Sequence, residues 1–314
     1  MITLNSMPAP TWNRLKLNDI TVELPAFTGT PEPCGDSAIT SLGGEFCALV
    51  GNVTRFTEDT KLDLALKNGD TCGVLLHADK GAELTALMYV TSDGTAALRT
   101  FAEVSDNAKI RLVQIIEGGN VLNDVGASVG DSGKFEITQI FLGGSTVTGV
   151  CTDLHGYKAE LDCKLGYLLG GGELLDINNV VLHKGRKTAS DTNVKGVLSG
   201  DARKTFRGTI DFRKGAAGAV GAETEDVLLM NEKVENKTVP VILCDEEDVE
   251  GSHGASIGRL SDEILYYMTS RGIPLEKAYK IMAQARLESL INGIGDEAFA
   301  RRASEAVTRR NADV

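Results

Sequence analysis

Two near-copies of one eleven-residue phrase set the pattern of this chain. Lys109-Ile-Arg-Leu-Val-Gln-Ile-Ile-Glu-Gly-Gly119 and Lys134-Phe-Glu-Ile-Thr-Gln-Ile-Phe-Leu-Gly-Gly144 alternate apolar with polar residues in the same order, at an offset of 25. Lys158 to Gly166 follows 24 residues further on in a looser form, and Glu173 to His183 is a fainter fourth copy. Each reads as a half-buried strand closed by glycine or another turn former. A period in the twenties built of strands and turns predicts a solenoid, in which stacked coils share one continuous core. Val194 to Leu198 and Phe206 to Ile210 lie only 12 residues apart, which assigns them to different sides of a coil. A β-sandwich competes, because it also uses short strands with frequent turns. The near-identical pair favours the solenoid, and the Leu-x-x-Leu-x-Leu frame of leucine-rich repeats is missing.

After Gly258 the pattern becomes helical. Ser261 suits an N-cap with Asp262 and Glu263 in the first turn, and Gly272 ends that helix. Pro274 opens a second helix, broken at Gly293 and Gly295, and Asp296 caps a third from Glu297 to about Arg310. Such helices can simply cover a solenoid end. Leu265, Tyr266, Tyr267, Met268 and Met282 are nevertheless too many large apolar groups for a short hairpin alone, so some of them meet another surface. The expected organisation is an N-terminal lead-in with the first coils (1–100), a β-helix core (101–260) and a helical region (261–314). Five prolines between Pro8 and Pro33 make residues 5–36 extended and turn-rich, with Trp12, the single tryptophan, as anchor.

Composition narrows the function classes. The chain has 314 residues, 35 glycines, 42% apolar residues and few aromatics, which suits many tight turns around a sizeable core. A net charge of −12 argues against nucleic acid as the main partner, since phosphate binding needs clustered Lys and Arg. No signal-peptide pattern and no membrane-length apolar run occur, so the expected location is the cytoplasm. The six cysteines form no Cys-x-x-Cys pair and read as free thiols, mostly buried.

No catalytic motif is complete: the nucleophile elbow, the phosphate-binding glycine loop and His-Glu-x-x-His are all missing. Gly170, Gly171 and Gly172 read as a turn. Asp245, Glu246, Glu247, Asp248 and Glu250 suggest a hard-cation site, but without EF-hand spacing they read better as a solvated edge. His253 supports two readings. If Val239, Val241 and Leu243 face the core, the shared parity makes His253 an inward, satisfied histidine. Alternatively, Gly251 and Gly254 leave room for a partner's group to approach, and a neutral imidazole is a good ligand for iron.

Pro10-Thr-Trp-Asn-Arg-Leu15, Ser252-His-Gly-Ala-Ser-Ile-Gly258, Leu265-Tyr-Tyr and Ser270-Arg-Gly-Ile273 resemble the SufB/SufD family of iron–sulfur cluster assembly scaffolds. The likeness is strongest from about residue 180 to 290. It implies a right-handed parallel β-helix with a C-terminal helical region, non-catalytic in itself. It also implies pairing with a SufB homologue and docking of the SufC ATPase through Leu265, Tyr266, Tyr267, Met268, Arg271 and Met282. No cofactor would be held stably; a transient cluster would form at the SufB interface, where His253 is the SufD-type contribution. SufD-like sequences often carry cysteine where this chain has Gly251. The SufB cysteine aligns with Glu225, which leaves Cys244 as the nearest thiol. The chain is also shorter than typical members, so an N-terminal helical domain is expected to be missing. A homodimeric scaffold without SufB and, more remotely, a β-helix carbohydrate-active enzyme are the alternatives.

Overall fold

A computed structural model describes residues 1–9 and 13–313. Sixteen strands between Val53 and Gly258 alternate between two eight-stranded, wholly parallel sheets, so that each coil lays one strand in either sheet. The predicted β-helix is therefore the fold. In what we call the first sheet Lys109 faces Lys134, the 25-residue offset of the two sequence copies, and matching side chains stack through Leu142. Lys134 then faces Glu160, so the third copy sits two residues later than the alignment from Lys158 implies. The corner before it, at His155–Ala159, shifts the frame. The fourth copy belongs elsewhere: Leu174–His183 lies in the second sheet, between Ser145–Leu154 and Arg203–Phe212. Both sheets show the same alternation, which therefore cannot assign a strand to one of them. Val194–Leu198 and Phe206–Ile210 do fall in opposite sheets, as their spacing predicts.

Inward side chains such as Ile110, Phe135, Leu161 and Ile177 fill the space between the sheets. A polar ladder runs through this core. Gln139 Nε2 donates to Gln114 Oε1 (2.7 Å), which also accepts from Asn123 Nδ2 (3.2 Å). Stacked amides of this kind supply part of one another's hydrogen bonding where water is excluded, while Asn123 Oδ1 and Gln139 Oε1 stay without a partner. His183 is the satisfied core histidine of the chain, with ring nitrogens 2.8 Å from Thr188 Oγ1 and 2.9 Å from Ser190 Oγ. Burial pushes its pKa down to about 4. Between an unfolded value near 6.5 and that folded value, the unfolded chain binds a proton that the folded chain refuses. Stability should therefore fall as pH drops through this window, by up to about 3 kcal/mol. His183→Gln should flatten that part of the profile in urea unfolding at pH 7 and pH 5; an unchanged slope would count against it.

Neither broad face of the solenoid is left bare. The helices are α1 (Gly44–Cys47), α2 (Asp262–Ser270), α3 (Leu275–Ile291) and α4 (Glu297–Asp313). The helices α3 and α4 do not close the end of the solenoid; they lie along the outer face of the first sheet. There Leu287, Leu290, Phe299 and Val307 cover Val113, Ile115, Ile140 and Leu168. Gly166 permits this approach, because a Cβ there would come within 2.7 Å of the Leu290 side chain. Ion pairs rim the seam: Lys61 with Asp296 (2.6 Å), Arg309 with Glu117 (3.3 Å), and Arg310 with Glu173. The predicted caps hold, with Ser261 Oγ accepting from Ile264 N and Asp296 Oδ1 from Phe299 N.

The described residues before Gly51 (1–9 and 13–50) form a strap over the second sheet, where Leu4, Leu42 and Phe46 pack on Ala97, Leu122 and Val147. Two buried arginines fasten it by donating to its carbonyls: Arg99 to Cys34 O and Asp36 O, Arg207 to Leu17 O and Asp19 O. Of the Pro10–Leu15 motif, Pro10, Thr11 and the expected anchor Trp12 lie outside the described residues. No helix among the described residues is long and apolar enough to cross a membrane.

Candidate functional site

The last coil, Glu235–Cys244 and Val249–Gly258, has a strand neighbour on one side only, which leaves a row of unpaired backbone groups at that end. His253 sits there. In the register His253 faces Glu223, Gly251 faces Gly221 and Val249 faces Ala219, all inward positions. Val239, by contrast, faces Arg207 and is buried outside the coil against Met7 and Leu17 of the strap. The expected common face of 239, 241, 243 and 253 is thus wrong. The corner at 245–248 resets the parity, so His253 faces inward while Val239 faces out. Nor does Gly251 leave space for a visitor. A Cβ there would meet the chain's own Phe212 ring at 3.0 Å and Ile242 at 3.1 Å.

Beneath His253 lies a charged interior. Glu223 and Glu225, each only 4% exposed, occupy consecutive inward positions of Ala219–Leu229. Glu225 is ion-paired to buried Lys204, and its second oxygen accepts from Thr238 Oγ1 (2.7 Å). The Lys204 ammonium also lies over the Tyr167 and Phe206 rings, at 6.0 and 5.6 Å. Glu225 is therefore engaged by its own chain. Glu223 is not so matched. Its carboxylate fills the space that a side chain at Gly208 in the facing strand would take, and its Oε2 has no hydrogen-bond partner. His253 Nδ1 lies 3.1 Å from Glu223 Oε1, yet neither ring nitrogen has an aligned hydrogen bond. Contact with this carboxylate holds the imidazole pKa above its ordinary value, against the opposite effect of burial.

The other candidates are spread out. Cys244, the one exposed cysteine, ends the neighbouring strand with Sγ 3.0 Å from Glu246 O. The acidic run forms the corner beside it, where the Glu246 carboxylate accepts from Gly215 N (3.0 Å) and Glu247 N (3.1 Å). In the helical region Leu265 and Met282 turn into the helix–sheet core. Tyr266 and Tyr267 stay 76% and 59% exposed, with the Arg271 guanidinium 5.0 Å above the Tyr267 ring. Met268 is half-buried. The expected docking set therefore divides into an internal pair and an outward face. Sequence reasoning missed Glu223, Lys204 and Gly208. The signal for the first was present: Glu223 and Glu225 stand at alternate positions in register with Val227 and Leu229, where a strand with one buried face carries apolar residues.

Residues 65–286 match the family model described as "SUF system FeS cluster assembly, SufBD core domain". The protein of Bacillus subtilis (strain 168) named iron-sulfur cluster assembly protein SufD is 28% identical over 165 residues, 52% of this chain and 38% of that protein. The SufD of Escherichia coli (strain K12) is 31% identical over 116 residues, 37% of this chain and 27% of that protein. A chloroplastic SufBD family protein of Arabidopsis thaliana is 30% identical over 122 residues, 39% of this chain and 22% of that protein. The chain thus spans well under half the length of these curated relatives. The family model, however, covers most of the β-helix and extends into the C-terminal helices, so the chain belongs to the SufB/SufD family of the SUF iron–sulfur cluster assembly system.

Proposed function

We propose that this chain is a SufD-like scaffold subunit, non-catalytic in itself, that pairs with a SufB homologue through the bare end of its β-helix. The observation that carries this reading is His253 at a solenoid end with unpaired strand edges, flanked by the exposed Ile242 and Ile257. A parallel edge of this kind is a template for another strand, and the two isoleucines give the contact an apolar component. Iron and sulfide, as cargo rather than resident cofactor, would gather there against the imidazole. A SufC-type ATPase would dock on the outward face of α2. Because α3 and α4 are fixed along the first sheet, nucleotide-driven motion of that partner would be transmitted to the coil stack and open the pairing edge.

Co-purification of the intact chain with a SufC homologue tests the docking. Tyr266→Ala combined with Tyr267→Ala should weaken that binding by about 2 kcal/mol or more, because exposed paired aromatics dominate such contacts, while thermal stability changes little. Equal affinity of the folded double variant would remove α2 from the interface. Mass measurement with and without a SufB homologue separates the heteromeric reading from a homodimer joined through the same edge.

A further inference from the structure

We propose that Glu223 is a direct ligand that shares one divalent cation of the iron class with His253, so that this chain alone presents a carboxylate–imidazole seat at its solenoid end. The inference deepens the cluster-assembly reading and rests on it for the identity of the cargo. The geometry is independent of that reading.

Three observations point the same way. Glu223 is 4% exposed, and its Oε2 is orphaned inside the coil. A buried carboxylate oxygen without a partner is costly, and such groups in proteins are paired or bind metal. The buried ammonium of Lys204 is ion-paired to Glu225 rather than to Glu223. This leaves Glu223 as the carboxylate in surplus, with His253 as its nearest titratable contact.

The second observation is the contact itself. Nδ1 and Oε1 are 3.1 Å apart, but both ring nitrogens lack an aligned hydrogen bond. Two ligands of one metal with bonds of about 2.1 Å stand roughly 3 Å apart when they occupy adjacent octahedral positions. The spacing is thus that of neighbouring ligands, and the alignment is not that of a donor and an acceptor. His77 shows the contrast: its Nδ1 and Nε2 hydrogen-bond to Glu103 (2.7 Å) and Asp79 (3.0 Å), so both nitrogens are used within the chain.

Thirdly, the carboxylate has space set aside for it. Gly208 in the facing strand leaves the volume that the carboxylate fills, and any Cβ there would overlap its oxygens. Mixed imidazole and carboxylate ligation suits borderline cations such as Fe²⁺ or Co²⁺ better than it suits Ca²⁺, which takes an all-oxygen shell. The seat lies in the last coil, beside the strand edge that has no neighbour on its far side.

The test is an anaerobic titration of Co²⁺ alone into the intact chain, followed by its visible d–d absorption and by displacement with Fe²⁺. One equivalent should bind, and Glu223→Gln and His253→Asn should each weaken binding by at least about tenfold, in line with losses on altering a metal site. His77→Asn should leave binding unchanged. Metal-free melting of each variant confirms the fold. Wild-type binding unaltered by Glu223→Gln, or no binding by the folded wild type, would overturn the proposal. If binding needs His253 but ignores Glu223, the ligand role of Glu223 falls while His253 keeps its proposed place in cluster assembly. If Co²⁺ binding needs both residues but cluster formation on the full complex does not need His253, the seat stands and the assembly reading fails.

Discussion

Arg99→Met should destabilise the protein by about 3–5 kcal/mol, the cost of breaking a buried pair from one side. Arg99 and Asp124 are both fully buried between the second sheet and the strap. The guanidinium contacts Asp124 and Cys47 Sγ (2.9 Å) and donates to Cys34 O (2.8 Å) and Asp36 O (2.7 Å). Methionine fills part of the volume but supplies none of these donors. The strap carbonyls of Cys34, Asp36 and Ile39 then lose this donor, and Asp124, whose pKa burial already pushes up, loses the cation that opposes this. Urea unfolding should show the loss, with faster proteolysis of residues 1–50. Arg99→Met combined with Asp124→Leu should recover a large part of it, because no lone charge remains. A single-variant loss below about 1 kcal/mol would mean that the strap is held by its apolar contacts rather than by the arginine.

The second large effect is expected at a corner. Gly130, Gly156 and Gly185 stack in consecutive coils, tied by Gly156 N to Val129 O (3.0 Å) and Gly185 N to Leu154 O (2.9 Å). A Cβ on Gly156 would run into the backbone of Gly130, and one on Gly185 into the carbonyl of Gly156. Backbone on both sides cannot yield as a side chain can, since the coil rise is fixed by strand spacing near 4.8 Å. Gly156→Ala should therefore cost about 2–4 kcal/mol. Gly172→Ala is the control. Its φ of +76 disfavours a side chain, but nothing lies within 4 Å, so a cost of about 1 kcal/mol is expected. Equal losses at the two sites would mean that local strain, and not corner stacking, sets the requirement for glycine.

The solenoid was legible where successive coils have equal length. Lys109 and Lys134 stack at the spacing visible in the chain, and their near-identity follows from the shared interior environment of Gln114 and Gln139. The signal faded because later coils lengthen, with Glu160 facing Ala189 and Ala189 facing Val220. Alternation weakened as well, because both faces of many strands are buried: Ile110 and Leu112 point into the core while Val113 and Ile115 lie under the helices. The helices themselves were legible from Ser261, Pro274 and Asp296. Their place along the sheet was not, since an apolar helix face does not reveal which surface it meets. At the site, His253 stood out through its rarity and its motif, but its direction depended on a parity that the corner at 245–248 interrupts. Glu223 was overlooked because a carboxylate on a strand normally marks the wet face; Gly208 across the coil, which no spacing along the chain brings to it, leaves it room inside.

The most direct measurement is anaerobic cluster assembly on the complex of this chain with a SufB homologue and a SufC homologue, scored by visible cluster absorbance per complex. His253→Ala should form a complex of the same mass yet assemble clusters at least about tenfold less well, as expected when a metal-site group is lost. A His253→Ala complex that assembles clusters at the wild-type yield would contradict a role for this solenoid end in receiving iron.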